Sequence, residues 1–210
     1  MPPRPIAPDR MDRILEAAAV VFARDGFAGA RMEDVAATAG VSKGALYLSF
    51  DSKERLIQVL VERLVGSELR RIREAAAGDG PTIDRLIEFV SGYVEDVTAV
   101  GDLGPVVLEL YARAGRAGPI RETLRRSLDA FVEGLERLID AGVRRGELGP
   151  VDGRTLAVEI AALLEGTVLL WVLDPAAVDV ARVAPEGVRH IVGGLAAQAA
   201  GSSRSGEAEA

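Results

Sequence analysis

The sequence predicts an all-α protein, in which a small N-terminal three-helix head precedes a larger C-terminal helical bundle. Apolar residues recur at intervals of three and four along most of the chain, as they do on one face of a helix. The second half has no alternation of apolar and polar residues that would indicate a strand. Glycine and proline interrupt the periodicity, which marks the ends of successive helices.

Residues 32–54 contain two short helical patterns joined by a glycine turn. The apolar residues of the first pattern recur at i, i+3, i+4 and i+7, which gives one buried stripe. Gly40 follows that stripe and can adopt the left-handed conformation that ends a helix sharply. Ser42 is a good N-cap for the second helix, which is under two turns long. The two helices and their turn predict a helix-turn-helix.

The remaining helices are predicted from apolar stripes bounded by capping residues, glycine or proline. The one that begins at residue 152 is apolar on more than one side, which indicates burial in the core, in a subunit interface, or in both. We expect residues 1–51 to form an N-terminal arm and the head, residues 52–199 the bundle, and residues 200–210 a disordered tail. The predicted helices span residues 9–24, 31–39, 42–48, 53–77, 82–100, 106–114, 119–146, 152–173 and 186–198.

Composition excludes several classes of site. The chain has no cysteine and a single histidine, His190, so thiolate chemistry and paired-histidine metal sites are absent. No phosphate-binding loop motif is present. We therefore predict no catalytic residues, no metal site and no cofactor. The N-terminus lacks the apolar segment of a signal peptide, and no unbroken apolar run approaches a membrane span, so we expect a cytoplasmic protein without a membrane partner.

The net charge of −7 looks unfavourable for DNA binding but is unevenly distributed. Residues 1–55 carry eight basic and eight acidic side chains, so the whole net charge lies in the rest of the chain. Both lysines, Lys43 and Lys53, lie in or beside the helix-turn-helix. Since phosphate binding depends on where the cations lie, net charge does not exclude a DNA-binding head.

Residues 14–56 resemble the N-terminal domain of TetR-family transcriptional regulators. The resemblance rests on Gly26-Phe27, on the stretches MEDVA and AGVSKGALY, and on the run from Phe50 to Glu54. It implies an all-helical homodimer whose head binds double-stranded DNA and whose C-terminal domain carries a small-molecule pocket and the dimer interface. We therefore predict a ligand-responsive regulator, a repressor that a small-molecule effector releases from a palindromic operator. An enzyme is disfavoured, and a helical regulator or adaptor without a small-molecule ligand is the alternative.

The N-terminal part of a recognition helix contacts base edges in the major groove. Lys43 can donate to guanine or to a phosphate, and Tyr47 resembles the phosphate-contacting tyrosine of the family. A partly buried aromatic residue is the alternative for Tyr47, and a solvated lysine is the alternative for Lys53. The predicted DNA-binding residues are Arg31, Ser42, Lys43, Gly44, Tyr47, Leu48 and Lys53.

Four positions depart from the usual choices of the family. Ala30 and Arg31 stand where threonines are common, so a side-chain cap and a hydroxyl contact to phosphate are missing, and we expect Arg31 to replace that contact with a charge. Ala45 stands where threonine is common, and Ser49 where histidine or tyrosine is common. These changes affect contact positions and leave the core positions of the head intact.

The small-molecule site is predicted only from the few aromatic residues of the C-terminal half. Pockets in helical bundles are lined by apolar and aromatic side chains with a few polar groups, although an ordinary core has the same composition. Glu109 could orient a cationic ligand, with an exposed or interface carboxylate as the alternative. The candidate ligand-binding residues are Phe89, Tyr93, Tyr111 and Trp171.

Overall fold

Helices form the architecture that the apolar periodicity predicts. The computed structural model describes residues 8–99, 104–115 and 118–207, and within these ranges it contains no strand. Its helices are α1 (Pro8–Gly29), α2 (Met32–Ala39), α3 (Lys43–Ser49), α4 (Lys53–Ala77), α5 (Thr82–Ala99), α6 (Gly104–Ala114), α7 (Pro119–Arg144), α8 (Gly153–Leu173) and α9 (Val180–Glu207).

The chain divides into two compact units. The first contains α1 to α3, the first half of α4, α6 and the start of α7, and the second contains the other helical segments. This division differs from the boundary expected after residue 51. The difference arises because the apolar stripe of α4 is long: Leu56 and Leu60 pack in the core of the first unit, whereas Ile72 packs in the core of the second.

The core of the first unit joins the helix-turn-helix to α6. Phe22 and Phe27 of α1 meet edge to face, with ring centroids 5.0 Å apart. Leu46 of α3 is fully buried in this core, and Val106 and Leu110 of α6 are buried in it as well. The head is therefore stabilised by a helix that lies about 60 residues further along the sequence.

In the second unit, α8 provides much of the buried surface. Leu156, Ile160 and Leu164 lie on its buried side, in the same core as residues of α5, α7 and α9. By length and composition α8 could cross a membrane, with 39% of its most apolar window buried. A helix that forms the centre of a bundle has this composition for an ordinary reason, because it is apolar on more than one side.

The last helix is longer than the sequence predicts at both ends. Asp179 caps it, since its Oδ1 accepts a hydrogen bond of 3.2 Å from the backbone N–H of Arg182. Pro185, expected to precede the helix, lies inside it. The helix continues to Glu207 through most of the segment predicted to be disordered, since extending an existing helix needs no new nucleus. The predicted arm runs from Pro2 to Pro8, and only Pro8, the first residue of α1, belongs to the described residues. Residues 208–210 also lie outside them.

Candidate nucleic-acid interface and ligand core

The turn between α2 and α3 fixes where the second helix begins. Gly40 has φ 66° and ψ 33°, the left-handed conformation predicted for it. The N–H of Val41 donates to the carbonyl of Ala36 at 3.0 Å, which closes the end of α2. The Oγ of Ser42 then accepts from the N–H of Ala45 at 3.1 Å. Both ends of the turn are thus fixed by hydrogen bonds, and α3 starts in a defined direction.

One face of α3 is buried and the other is exposed. Leu46 is fully buried, whereas Leu48 is 87% exposed and Tyr47 is 42% exposed. Lys43 and Gly44 lie on the same exposed face at the start of the helix, next to Ser42. All five predicted residues of this helix and its cap are therefore brought together on one accessible surface. Since Leu48 is almost fully exposed, its side chain is accessible to another molecule.

Lys43 is held by a carboxylate that the sequence analysis missed. Its Nζ lies 2.6 Å from Oε1 of Glu33 on α2 and 5.8 Å from the centre of the Tyr47 ring. The hydrogen bond between the two side chains raises the pKa of Lys43 and lowers the pKa of Glu33, and their mutual attraction acts in the same direction. Glu33 can be recognised in the sequence as an acidic residue in the first turn of α2, where its negative charge interacts favourably with the helix dipole.

Lys53 makes two hydrogen bonds within the protein that the sequence analysis did not predict. Its Nζ donates to the carbonyl oxygens of Ala28 and Ala30, at 3.2 and 3.0 Å. These contacts tie the start of α4 to the connection between α1 and α2. An ammonium has three N–H donors, so one donor is left for a phosphate. Arg31 occupies the N-cap of α2, is exposed, and makes no side-chain cap.

Arg10 of α1 is a second residue that the sequence analysis missed. Its Nη2 lies 3.4 Å from the carbonyl oxygen of Ala45 and 3.3 Å from Oγ of Ser49, both on α3. The hydroxyl of Ser49 also donates to the carbonyl of Ala45 at 3.2 Å. The unusual serine at position 49 therefore belongs to a small network that holds the end of the exposed helix against α1. No local pattern reveals this network, because Ala45 and Ser49 are 35 and 39 residues from Arg10 in the sequence.

Glu109 of α6 stabilises a break in α1. Gly26 interrupts the helix with φ 68° and ψ 166°, and the N–H of Phe27 that follows donates to Oε2 of Glu109 at 2.6 Å. Arg113 pairs with Glu109 at 3.3 Å and lies 5.0 Å from the centre of the Phe27 ring. Glu109 therefore holds the backbone of the head, and neither of the two roles expected for it describes that contact.

In the second unit the structure brings two of the four candidate ligand-binding residues together. The rings of Phe89 and Tyr93 are 6.4 Å apart, and both lie near Phe131, at 5.6 and 6.5 Å. Trp171 is half-buried against the same core. Tyr111 belongs to the first unit and is 49% exposed, so it is not part of this cluster.

Glu68 adds an unusual carboxyl group to the second unit. Burial, with a smaller contribution from the negative charges of Glu165 and Asp96, raises its pKa to about 8. The side chain is consequently protonated at neutral pH and can donate a hydrogen bond as well as accept one. Among the described residues, no group of three or more histidine, aspartate or glutamate side chains has the arrangement of a metal site.

The surface of the second unit carries an apolar patch on α8. Leu170 and Leu173 are more than half exposed, and Val158 and Leu169 are also exposed. Val183 at the start of α9 is exposed as well. Several exposed apolar side chains on one helix of the bundle make that helix a candidate for contact with another protein or a ligand.

Two family models match the chain, one in each half. The model described as bacterial regulatory proteins, tetR family, matches residues 14–60, and the model described as BetI-type transcriptional repressor, C-terminal, matches residues 82–197. The uncharacterized HTH-type transcriptional regulator YfiR of Bacillus subtilis (strain 168) is 34% identical over 147 residues, which are 68% of this chain and 69% of that protein. The fatty acid metabolism regulator protein of the same organism is 23% identical over 184 residues, which are 87% of this chain and 94% of that protein.

Solved structures show the same fold. The regulator FadR from Bacillus subtilis, in complex with stearoyl-CoA, matches with a TM-score of 0.75 and 23% identity, over 86% of this chain and 97% of that chain. A putative transcriptional regulator from Saccharomonospora viridis, in complex with choline, matches with a TM-score of 0.72 and 21% identity, over 87% and 94% of the two chains. The ligands of these two proteins belong to different chemical classes.

Proposed function

This chain belongs to the tetR family of bacterial regulatory proteins, and from that premise we propose that it is a homodimeric repressor released from a palindromic operator by a small molecule. The observation that carries the DNA-binding part is the exposed face of α3, where a capped helix start presents Lys43, Tyr47 and Leu48. Helix-turn-helix proteins place such a helix start at base edges in the major groove.

Each predicted residue of the head has a proposed role. Lys43 donates to a guanine or a phosphate, Leu48 contacts thymine methyl groups, and the small Gly44 allows close approach. Tyr47, Arg31 and Lys53 contact phosphates, and Ser42, the N-cap of α3, fixes the start of the helix. The support is that all of these side chains except Lys53 are exposed, and Lys53 keeps one free donor.

For the dimer we propose the apolar patch of α8 and the start of α9. A two-fold axis brings the same patch of both subunits together, which removes Leu170 and Leu173 from water. The patch consists of separate exposed apolar residues on one helix and its neighbour, as expected for a helix-helix interface. Two recognition helices in such a dimer reach half-sites about 34–36 Å apart.

For the effector we propose the core around Phe89 and Tyr93, with Trp171 at its edge. The support is the cluster of aromatic side chains that Phe89 and Tyr93 form with Phe131, together with the buried carboxyl group of Glu68 in the same unit. The contact predicted for Tyr111 stays a prediction, with an exposed ring on α6 in its favour. Because α4 contributes residues to both units, it is the proposed route by which a ligand changes the preferred state of the heads.

The proposal is tested by selecting DNA fragments from the encoding genome with the immobilised wild-type protein. We expect a small set of fragments whose affinity exceeds that of random DNA by roughly a thousandfold or more. The double variant Lys43→Ala, Leu48→Ala is the control and should recover no common sequence. Equal enrichment by the variant and the wild type would contradict the assignment of this surface.

A further inference from the structure

The connecting segment, residues 27–30, leads from the break in α1 to the start of α2 and is held at both ends by charged side chains of other helices. At its N-terminal end, the N–H of its first residue donates to Oε2 of Glu109 on α6 at 2.6 Å. At its C-terminal end, Nζ of Lys53 on α4 donates to the carbonyl oxygens of Ala28 and Ala30. A carboxylate only accepts hydrogen bonds and an ammonium only donates them, so each charge binds the backbone atoms that match it.

Glu109 binds the backbone at the point where α1 is broken. Gly26 has φ 68° and ψ 166°, which are not helical values, so the N–H of Phe27 is turned away from the direction that it has in a regular helix. Phe27 is fully buried, so water does not replace a missing acceptor there. A buried N–H without an acceptor is costly, and removal of Glu109 therefore favours a shift of the segment to where this N–H finds another partner.

Arg113 fixes the orientation of that carboxylate. Its Nη2 lies 3.3 Å from Oε1 of Glu109, and its guanidinium carbon lies 5.0 Å from the centre of the Phe27 ring. Glu109 therefore binds the backbone with one oxygen and Arg113 with the other. These contacts join one turn of α6 to a single residue of the connecting segment, and they give the hydrogen bond a defined direction.

The connecting segment determines the direction in which the helix-turn-helix leaves α1. Arg31, the N-cap of α2, follows it directly, and the turn at Gly40 then leads to α3 with hydrogen bonds at both ends. Apolar packing in the shared core is not directional, whereas hydrogen bonds to the backbone are. Ala28 and Gly29 are exposed, so the segment can shift along the surface while the core stays closed. The hydrogen bond to Glu109 is therefore suited to setting where α3 lies.

We propose that Glu109 is a positioning residue for DNA recognition, which acts through the N–H of Phe27 on the placement of α2 and α3. The hydrogen bonds that its carboxylate makes in the described part of the chain go to Phe27 and Arg113, and neither is among the proposed DNA contacts. This role rests on the proposed function, because it presupposes that α3 recognises DNA. Base edges are read by hydrogen bonds of narrow geometry, so a misplaced α3 loses base contacts before it loses the attraction to phosphates.

The test compares specific with non-specific DNA binding by Glu109→Ala. Fluorescence anisotropy at constant salt concentration measures the affinity for a selected genomic fragment and for a random duplex of the same length. We expect the affinity for the selected fragment to fall roughly tenfold, while the affinity for the random duplex stays within about twofold, since it depends on phosphate contacts. Equal losses on the two duplexes, or no loss on the selected fragment, would overturn the proposal.

Two further variants separate positioning from stability. Glu109→Gln keeps an oxygen that accepts from the N–H of Phe27, so it should bind the selected fragment within about threefold of the wild type. Val106→Ala, a substitution in the same core and on the same helix, is the matched control. It should lower stability and leave both affinities within about twofold. A loss of specific binding by either variant as large as that of Glu109→Ala would contradict the role of the hydrogen bond.

Arg113→Met covers the case in which Glu109→Ala does not fold. It frees one oxygen of the Glu109 carboxylate and keeps an apolar side chain over the Phe27 ring, so the affinity for the selected fragment should fall by about two- to fivefold. An unchanged affinity for that fragment would contradict the role of the pair.

Hydrogen exchange of the Phe27 amide, followed by NMR on the free protein, reports the contact without DNA. The exchange should accelerate roughly tenfold or more in Glu109→Ala, since the donor loses its acceptor, while the amides of α8 keep their rates. Unchanged exchange at Phe27 would overturn the contact. A wild-type protein with no preferred DNA would overturn the proposed function and this role together, whereas unchanged specificity in the Glu109 variants would overturn this role alone.

Discussion

At the scale of single residues, Lys43 lies on the exposed face of α3 already paired with Glu33. A phosphate or a base must compete with this carboxylate, because an ammonium that donates to Glu33 has part of its charge neutralised. The same carboxylate also repels the DNA backbone. We therefore expect Glu33 to position Lys43 over the Tyr47 ring and at the same time to lower the affinity for DNA of any sequence.

The first prediction concerns Glu33. Glu33→Gln frees Lys43 and removes a repulsive charge, so DNA affinity should rise by about two- to fivefold and the salt dependence should steepen by about one unit. Fluorescence anisotropy over a series of salt concentrations measures both quantities. Glu16→Gln, which removes an exposed carboxylate of α1, is the charge-matched control. Weaker binding by Glu33→Gln would show that the carboxylate contributes favourably to the DNA complex.

The second prediction concerns Lys43 and its neighbour Tyr47. Lys43→Ala and Tyr47→Phe should each weaken operator binding roughly tenfold, because each removes a contact to phosphate or base, while the dimer stays intact. Gel-shift titrations at fixed salt measure the affinity, and gel filtration checks the assembly. Wild-type affinity in both variants would contradict the assignment of Lys43 and Tyr47 to the DNA-binding surface.

At the scale of elements, the turn between α2 and α3 depends on backbone geometry and not on packing. A Cβ added at Gly40 would meet no atom within 4 Å, yet φ at this residue is +66°. Gly44 in α3 also has open space around a Cβ, but it has ordinary helical geometry. Both glycines have room for a Cβ, and only Gly40 has a positive φ. Comparing substitutions at the two positions therefore separates the effect of backbone conformation on stability from the effect of steric contact.

The third prediction uses this pair of glycines. Gly40→Ala should lower the free energy of unfolding by about 1–2 kcal/mol, since alanine is disfavoured in the left-handed region. Gly44→Ala should raise it by up to about 1 kcal/mol, since alanine is the better helix former. Urea unfolding monitored by circular dichroism measures both. Equal effects of the two substitutions would contradict the assigned geometry.

Thr82, Arg145 and Glu147 form a hydrogen-bonded clamp at the start of α5. The N–H of Thr82 donates to Oε2 of Glu147 at 2.6 Å, and Arg145 donates to Oε1 of Glu147 at 2.6 Å and to the Thr82 hydroxyl at 2.6 Å. The hydrogen bond from Arg145 and the backbone N–H of Thr82 lower the pKa of Glu147 to about 2. The turn after α7 thus caps α5 with a charged group from outside that helix.

The fourth prediction is the pH dependence of this clamp. Because the folded pKa of Glu147, about 2, lies below its ordinary value of 4.5, the stabilisation is complete above about pH 4.5 and is lost as pH falls toward 2. Glu147→Gln should lower stability by about 1–2 kcal/mol at pH 7 and flatten the acid dependence below pH 4.5. The midpoints of urea unfolding between pH 2.5 and 7 measure this pH dependence. Parallel pH profiles for the variant and the wild type would contradict the clamp.

At the scale of the whole molecule, local patterns predicted the head better than the rest. The glycine turn, the Ser42 cap and the exposed face of α3 follow from short-range spacing, and the structure has all three. The contact between Phe27 and Glu109 joins residues 82 positions apart, so no local pattern indicates it. Local patterns also do not indicate that α4 is divided between two units. Its apolar stripe is continuous, and nothing in the stripe shows which core each part of the helix joins.

The bundle was predictable in composition but not in arrangement. The sequence identifies Phe89 and Tyr93 as two of the few aromatic residues of the C-terminal half, and the structure places them beside Phe131. The same criterion selected Tyr111, whose ring is exposed in the other unit.

The fifth prediction concerns assembly. The double substitution Leu170→Glu, Leu173→Glu places charges on the exposed patch of α8 and should convert the dimer to a monomer, since buried like charges across a two-fold axis repel. Light scattering coupled to gel filtration measures the mass. The exposed Val20→Glu of α1, outside the patch, is the matched control and should remain a dimer. An unchanged mass for the double variant would place the interface elsewhere.

The central claim is that two copies of the exposed face of α3 recognise a symmetric DNA site. Footprinting of a selected genomic fragment with the wild-type protein tests it most directly. We predict an inverted repeat whose half-site centres are about 34–36 Å apart, or a multiple of one helical turn, and a footprint that requires roughly tenfold more protein for Lys43→Ala at the same salt concentration. A footprint without two-fold symmetry, or one that Lys43→Ala leaves unchanged, would contradict the account.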